Sequence, residues 1–166
     1  MTIEAIAQRI YDLPFADAVR QSASLFPLLE SIHVLALTLV FGTIAIVDLR
    51  LLGVRLHRAS AKTLIAELLP YTWGAFALAV LSGGMLFSSN AVLYTQNTQF
   101  VAKMALILLA GLNMLAFHST VYRRIEGWDV DGPPPAAARF AGATSLLLWS
   151  AIIILGRWVG FTLAPF

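Results

Sequence analysis

Apolar residues fall along this chain in two rhythms, and the change from one to the other marks its organisation. Near the N-terminus Ile3, Ile6, Ala7 and Ile10 recur at i, i+3, i+4 and i+7, while Glu4, Gln8, Arg9 and Asp12 take the other faces. That spacing predicts an amphipathic helix closed by Pro14. The segment 1–25 is too short and too polar to cross a bilayer, and its apolar face suits either the membrane surface or the end of a helical bundle. It lacks the basic leader and unbroken apolar core of a cleaved signal peptide, so it is read as part of the mature chain.

From Phe26 onward the pattern changes to near-continuous apolar runs, at about 26–47, 68–88, 100–122 and 140–163. Each reaches the ~18–20 residues needed to cross roughly 30 Å of hydrocarbon. Ser24 stands where an N-cap would precede the first run, and Pro27 falls in its first turn, where a missing N–H costs nothing. Gly132-Pro133-Pro134-Pro135, preceded by Asp129 and Asp131, cannot continue a helix and reads as a loop. The expected fold is all-α: a single domain over 1–166, built as a four-helix transmembrane bundle with an N-terminal amphipathic interfacial helix.

Composition agrees. Of 166 residues 59% are hydrophobic and 12% charged, against roughly 45–50% and 25% in soluble domains. The absence of cysteine removes disulfides, thiolate metal sites and a Cys nucleophile together. The net charge of +2 would hint at nucleic acid in a soluble protein, but the basic residues sort instead as topology signals. Arg50, Arg55, Arg58 and Lys62 lie between the first two runs, and Arg123, Arg124 and Arg139 between the last two, whereas 89–99 holds no Lys or Arg. The positive-inside rule then places the two basic loops in the cytoplasm and both termini outside.

Ionisable and soft side chains at membrane depth are the candidates for function. His33 sits roughly 10 Å below the outer end of the first run, with Glu30 about one turn above it. Near that level come Met85, Lys103, Met104 and, counted back from Leu163, Arg157. A His with a thioether can ligate haem iron, and basic groups suit propionates. The bland alternatives are gap-filling for the methionines, snorkelling for Lys103 and Arg157, and helix-dipole stabilisation for Glu30. His118 lies roughly 17 Å deeper than His33 along the membrane normal, too far for both to hold one haem. A second candidate site on the cytoplasmic side is His118 with Asp48 and Arg50, for which an ion pair or lipid-headgroup contacts would be a sufficient structural explanation. His57 reaches His118 only if the first helix ends before it and turns back; otherwise it is solvated. Met104, Gly111 and His118 form one stripe, Gly142, Trp149 and Gly156 another, and Gly156 with Gly160 makes a GxxxG pair that signals helix contact or a homo-oligomer. No phosphate-binding, dinucleotide-binding, zinc-protease or nucleic-acid motif appears, and no catalytic residue is singled out.

The run from Pro27 to Gly53, with His33, Gly42 and its closure Asp48-Leu49-Arg50-Leu51-Leu52-Gly53, resembles an uncharacterised family of small bacterial four-span inner-membrane proteins. Leu69-Pro70-Tyr71-Thr72-Trp73, Ala102-Lys103-Met104-Ala105-Leu106 and Gly111-Leu112-Asn113 are similar to its later blocks, so the likeness covers nearly the whole chain. More distantly, a His early in the first span followed by Gly and Arg, with a Lys opening the third, is similar to copper-resistance D-like proteins and HemJ-type protoporphyrinogen oxidases. That likeness implies His33 as a haem ligand, with Lys103 and Arg50 as polar partners. Three readings follow. The favoured one is a haem b protein moving electrons between a redox partner protein and an acceptor. The second is a copper-handling protein using His33, Met85 and Met104, which suit Cu(I). The third is a non-catalytic membrane subunit whose polar groups only hold helices together.

Overall fold

The computed structural model describes residues 2–54, 60–129 and 133–163, and these are helical throughout apart from short connections. His57, Arg55 and Arg58 lie outside the described residues. Helix α1 (Ile3–Tyr11) is capped by Thr2, whose hydroxyl accepts from the Ala5 N–H, and α2 (Pro14–Gln21) starts on Pro14. Pro14 therefore divides the N-terminal segment into two helices, because a proline that cannot continue one helix is suited to open the next. Four long helices follow: α3 (Leu25–Leu51), α4 (Ala61–Ser89), α6 (Thr98–Ser119) and α7 (Ala136–Leu163). All four are long and apolar enough to cross a membrane. A short α5 (Ala91–Gln96) links α4 to α6, and a 3-10 turn (Tyr122–Gly127) follows α6.

The four long helices pack in the spatial order α4, α3, α7, α6, while α4 and α6 scarcely approach one another. Buried positions are mostly small: Ala36, Ala75, Ala79, Ala110 and Ala141. Leu35, Leu39, Leu81, Leu108 and Leu147 are exposed. Without water to drive the helices together, close backbone approach supplies the packing energy, and small side chains permit it. At Gly142 a Cβ would stand 3.0 Å from the Asp48 carbonyl oxygen and 3.1 Å from the Leu51 Cβ, so α3 and α7 meet there backbone to backbone. Hydrogen bonds between helices add to this, among them one from the Thr72 hydroxyl of α4 to Thr43 Oγ1 of α3 at 2.8 Å.

Both ends of the bundle are tied. Helix α3 stops in a Schellman motif: the Val54 N–H donates to the Leu49 carbonyl at 3.0 Å and the Gly53 N–H to that of Arg50 at 3.1 Å. Gly53 takes φ +94°, a conformation that disfavours any side chain. Helix α4 opens on Ser60, whose Oγ accepts from the Thr63 N–H, and on Asp129, whose carboxylate accepts from the N–H groups of Ala61 and Lys62 at 2.8 Å each. These caps explain why α4 begins seven residues before the apolar run. At the opposite end α1 packs on α5 and α2 on α4. The Arg20 guanidinium secures them, donating to the carbonyls of Tyr11 at 2.8 Å and Ser89 at 3.3 Å. Ala7, Ala16 and Val19 are buried there, while Ile3, Ile6, Leu13 and Phe15 stay exposed.

Candidate functional site

Chemistry-bearing side chains gather at two levels of the bundle. At the level nearer the N-terminal helices, His33 on α3 leans on α4, with Nδ1 3.1 Å from Ser82 Oγ. The Ser82 hydroxyl donates to the Leu78 carbonyl at 2.7 Å, so its oxygen is left to accept. Nδ1 therefore carries the ring proton and Nε2 keeps the lone pair. Gly83 makes room for this pose, since a Cβ there would stand 2.8 Å from the His33 Cε1. Lys103 on α6 packs its ammonium onto Gly156 of α7, 3.3 Å from where a Cβ would be, and lies near enough to His33 for their charges to interact. His33, Ser82, Lys103 and Gly156 thus draw one residue from each long helix.

The other candidates of this level divide. Glu30 is exposed on α3, and its charge reaches Tyr94 of α5. Tyr94 packs against Phe87 and Phe100, and burial first, Glu30 second, push its phenol above the ordinary range. Met85 is half-buried one turn along α4 from Ser82. Met104 is 49% exposed, and exposed Arg157 stacks its guanidinium 4.7 Å from the Phe161 ring centroid, so neither joins Lys103 and His33.

At the basic end a cavity of about 160 Å³ lies among all four long helices. Most of its wall is apolar, including Val40, Phe76 and Trp149; the polar side chains facing it include Asp48, Asn113, His118 and Ser145. The structure thus brings Asp48 and His118 to one place. Asp48 is 5% exposed; its carboxyl accepts from Ser145, and Oδ2 has no hydrogen-bond partner. His118 Nδ1 lies 2.9 Å from the Met114 carbonyl, which can only accept, so here too Nε2 keeps the lone pair. Asn113 donates to the Ala141 carbonyl at 3.0 Å. Arg50 turns away from the cavity to the carboxylate of Asp129 at 3.4 Å, with side-chain exposures of 12% and 3%.

Sequence reasoning missed Ser82, Ser145 and Asp129. Ser82-Gly83-Gly84 is a visible signal, a cluster of small residues inside an apolar run; Ser145 and Asp129 carry none, because their partners lie far along the chain. Among the described residues no three His, Asp or Glu side chains gather to hold a metal ion.

No curated protein and no solved structure matches this chain. One family model does, over residues 23–162, which takes in all four long helices but for the last residue of α7 and leaves out α1 and α2. The chain belongs to that family, the family of unknown function DUF6644.

Proposed function

We propose that this chain is a haem b-binding electron-transfer protein of the bacterial inner membrane, with both termini outside and His33 as an axial ligand. The observation that supports this reading is the fixed His33 ring: Ser82 takes the Nδ1 proton, and Nε2 is left as a lone-pair donor inside the bundle. Hydrogen bonding of the non-ligating nitrogen is the usual means of orienting a ligating histidine. A bare copper ion needs several protein ligands, and of the thioethers suited to Cu(I) Met104 is 49% exposed, which leaves His33 with Met85. Haem iron needs only one or two, because the macrocycle supplies four nitrogens, so the same observation favours haem over copper. Lys103 would hold a propionate, and Gly83 and Gly156 leave the room that the His33 ring and the Lys103 side chain occupy. Haem b when bound supplies one-electron redox chemistry.

The test is the absorption spectrum and haem content of the purified protein. His33→Ala should abolish a haem b spectrum and His118→Ala should leave it. Ser82→Ala should shift the spectrum or the midpoint potential through the ring orientation. Wild-type protein that carries no haem after expression with ample haem supply refutes the reading, and metal analysis then decides whether copper is bound by His33 with Met85.

A further inference from the structure

We infer that the cavity at the basic end binds the hydroxylated ring of a membrane-dissolved molecule, a quinol, which enters from the lipid between α4 and α6. The size is the first argument. A cavity of about 160 Å³ is close to the roughly 150 Å³ apolar cavity that holds a single benzene ring, so a ring fits and a whole lipid does not. The polar groups are the second. Asp48 Oδ2 is buried and partnerless, and His118 presents the lone pair of Nε2, because each group's other polar atom is already engaged, by Ser145 and by the Met114 carbonyl. With Asp48 in its carboxylate form, the condition set by the pH 8 of the titration below, both open positions are acceptors, and a buried acceptor without a donor costs free energy that a ligand hydroxyl recovers. The ligand must therefore bring donors, as a quinol does and the corresponding quinone does not.

The route in is the third argument. Helices α3 and α7 meet backbone to backbone at Gly142, and α4 on α3 and α6 on α7 are close-packed, so three sides are closed. On the remaining side α4 and α6 scarcely approach one another, which makes it the least tightly packed of the four. Trp73 of α4 lines the cavity and is 50% exposed, so its ring reaches from the cavity to the outer surface of the bundle. An apolar tail would leave through the seam into hydrocarbon while the ring stays inside.

This inference is independent of haem at His33, and so is its test. Purified protein in detergent micelles at pH 8, kept free of oxygen, is titrated with a short-chain alkyl hydroquinone and with its dimethyl ether, by calorimetry and by tryptophan quenching. The hydroquinone should bind at least tenfold more tightly than the ether, the difference expected for one charge-assisted hydrogen bond. Asp48→Asn should reduce hydroquinone affinity about tenfold and leave the ether unchanged. Ala110→Leu, which fills the cavity without touching either acceptor, should abolish binding of both, while the lipid-facing Leu147→Ala should change nothing. Absence of saturable binding to the wild type, equal affinity for hydroquinone and ether, or binding that survives Ala110→Leu each overturns the proposal. If Asp48→Asn does not fold, the ether comparison and Ala110→Leu still decide.

Discussion

Replacing Asp129 by Ala should destabilise the protein by about 3–5 kcal/mol, because one carboxylate serves two backbone donors and a guanidinium. Its side chain is 3% exposed, and its oxygens accept from the Ala61 and Lys62 N–H groups at 2.8 Å each and from Arg50 at 3.4 Å. Ala61 is fully buried, so water cannot replace the lost acceptor, and its orphaned N–H costs about 1–3 kcal/mol. The Lys62 N–H is nearer solvent and rehydrates in part, adding about 1 kcal/mol, typical of a lost N-cap. Losing a negative charge at a helix N-terminus adds roughly 0.3–1 kcal/mol. Arg50 contributes least, since 3.4 Å is long and the guanidinium has another interaction besides. Asp129→Asn keeps one oxygen acceptor and loses the charge, and should cost about half as much. Equilibrium unfolding in mixed micelles of a mild detergent and dodecyl sulfate measures both. A cost below about 0.5 kcal/mol for Asp129→Ala would show that the start of α4 is held by Ser60 and apolar packing alone. Arg50→Met in a double-mutant cycle with Asp129→Ala should show coupling under about 1 kcal/mol.

Three further outcomes are expected. Gly142→Leu should force α3 and α7 apart and destabilise by about 1–3 kcal/mol or more in the same unfolding assay, since even a Cβ there meets the Asp48 carbonyl oxygen at 3.0 Å. Tyr94 should titrate above free tyrosine in ultraviolet difference spectra; because it is raised in the folded state, the protein keeps its full stability below the value of free tyrosine and loses it as pH rises from there through the folded value, and Glu30→Gln should bring the value part of the way down. With cysteines placed singly at Thr2, Thr95 and the exposed Pro133, an impermeant thiol reagent on spheroplasts should label the first two and spare the third; labelling at Pro133 would invert the topology.

The long helices were legible because a run of twenty apolar residues has few other homes, but their ends were not. Helix α4 starts at Ala61 rather than near Leu68 because a carboxylate 68 positions away caps it, and no local pattern encodes that pairing. The N-terminal segment showed its apolar face but not the break at Pro14. In the site, sequence gave depth and no azimuth. Counting residues placed Lys103, Met104 and Arg157 near His33, yet neighbours along a helix point about 100° apart, so Lys103 turns inward while Met104 is exposed. Asp48 and Arg50 illustrate the same limit: both close α3, and two positions' rotation sends one to Ser145 and the other to Asp129.

The small interior and the leucine-rich exterior have a consequence for how this chain tolerates change. In a water-soluble core, trimming a large side chain opens a hole and enlarging a small one is the rarer accident. Here the exposed leucines already touch something as apolar as themselves, so shortening Leu35, Leu108 or Leu147 exchanges one hydrocarbon contact for another at little cost. Growth at Ala36 or Ala79 has nowhere to go. A saturation scan should therefore read inverted: a sparse skeleton of alanines, glycines and serines intolerant of added volume, embedded in long stretches where any apolar residue serves. Chains that share this architecture can then drift far apart in their bulky residues, and kinship would be best sought in the places where almost no side chain is present.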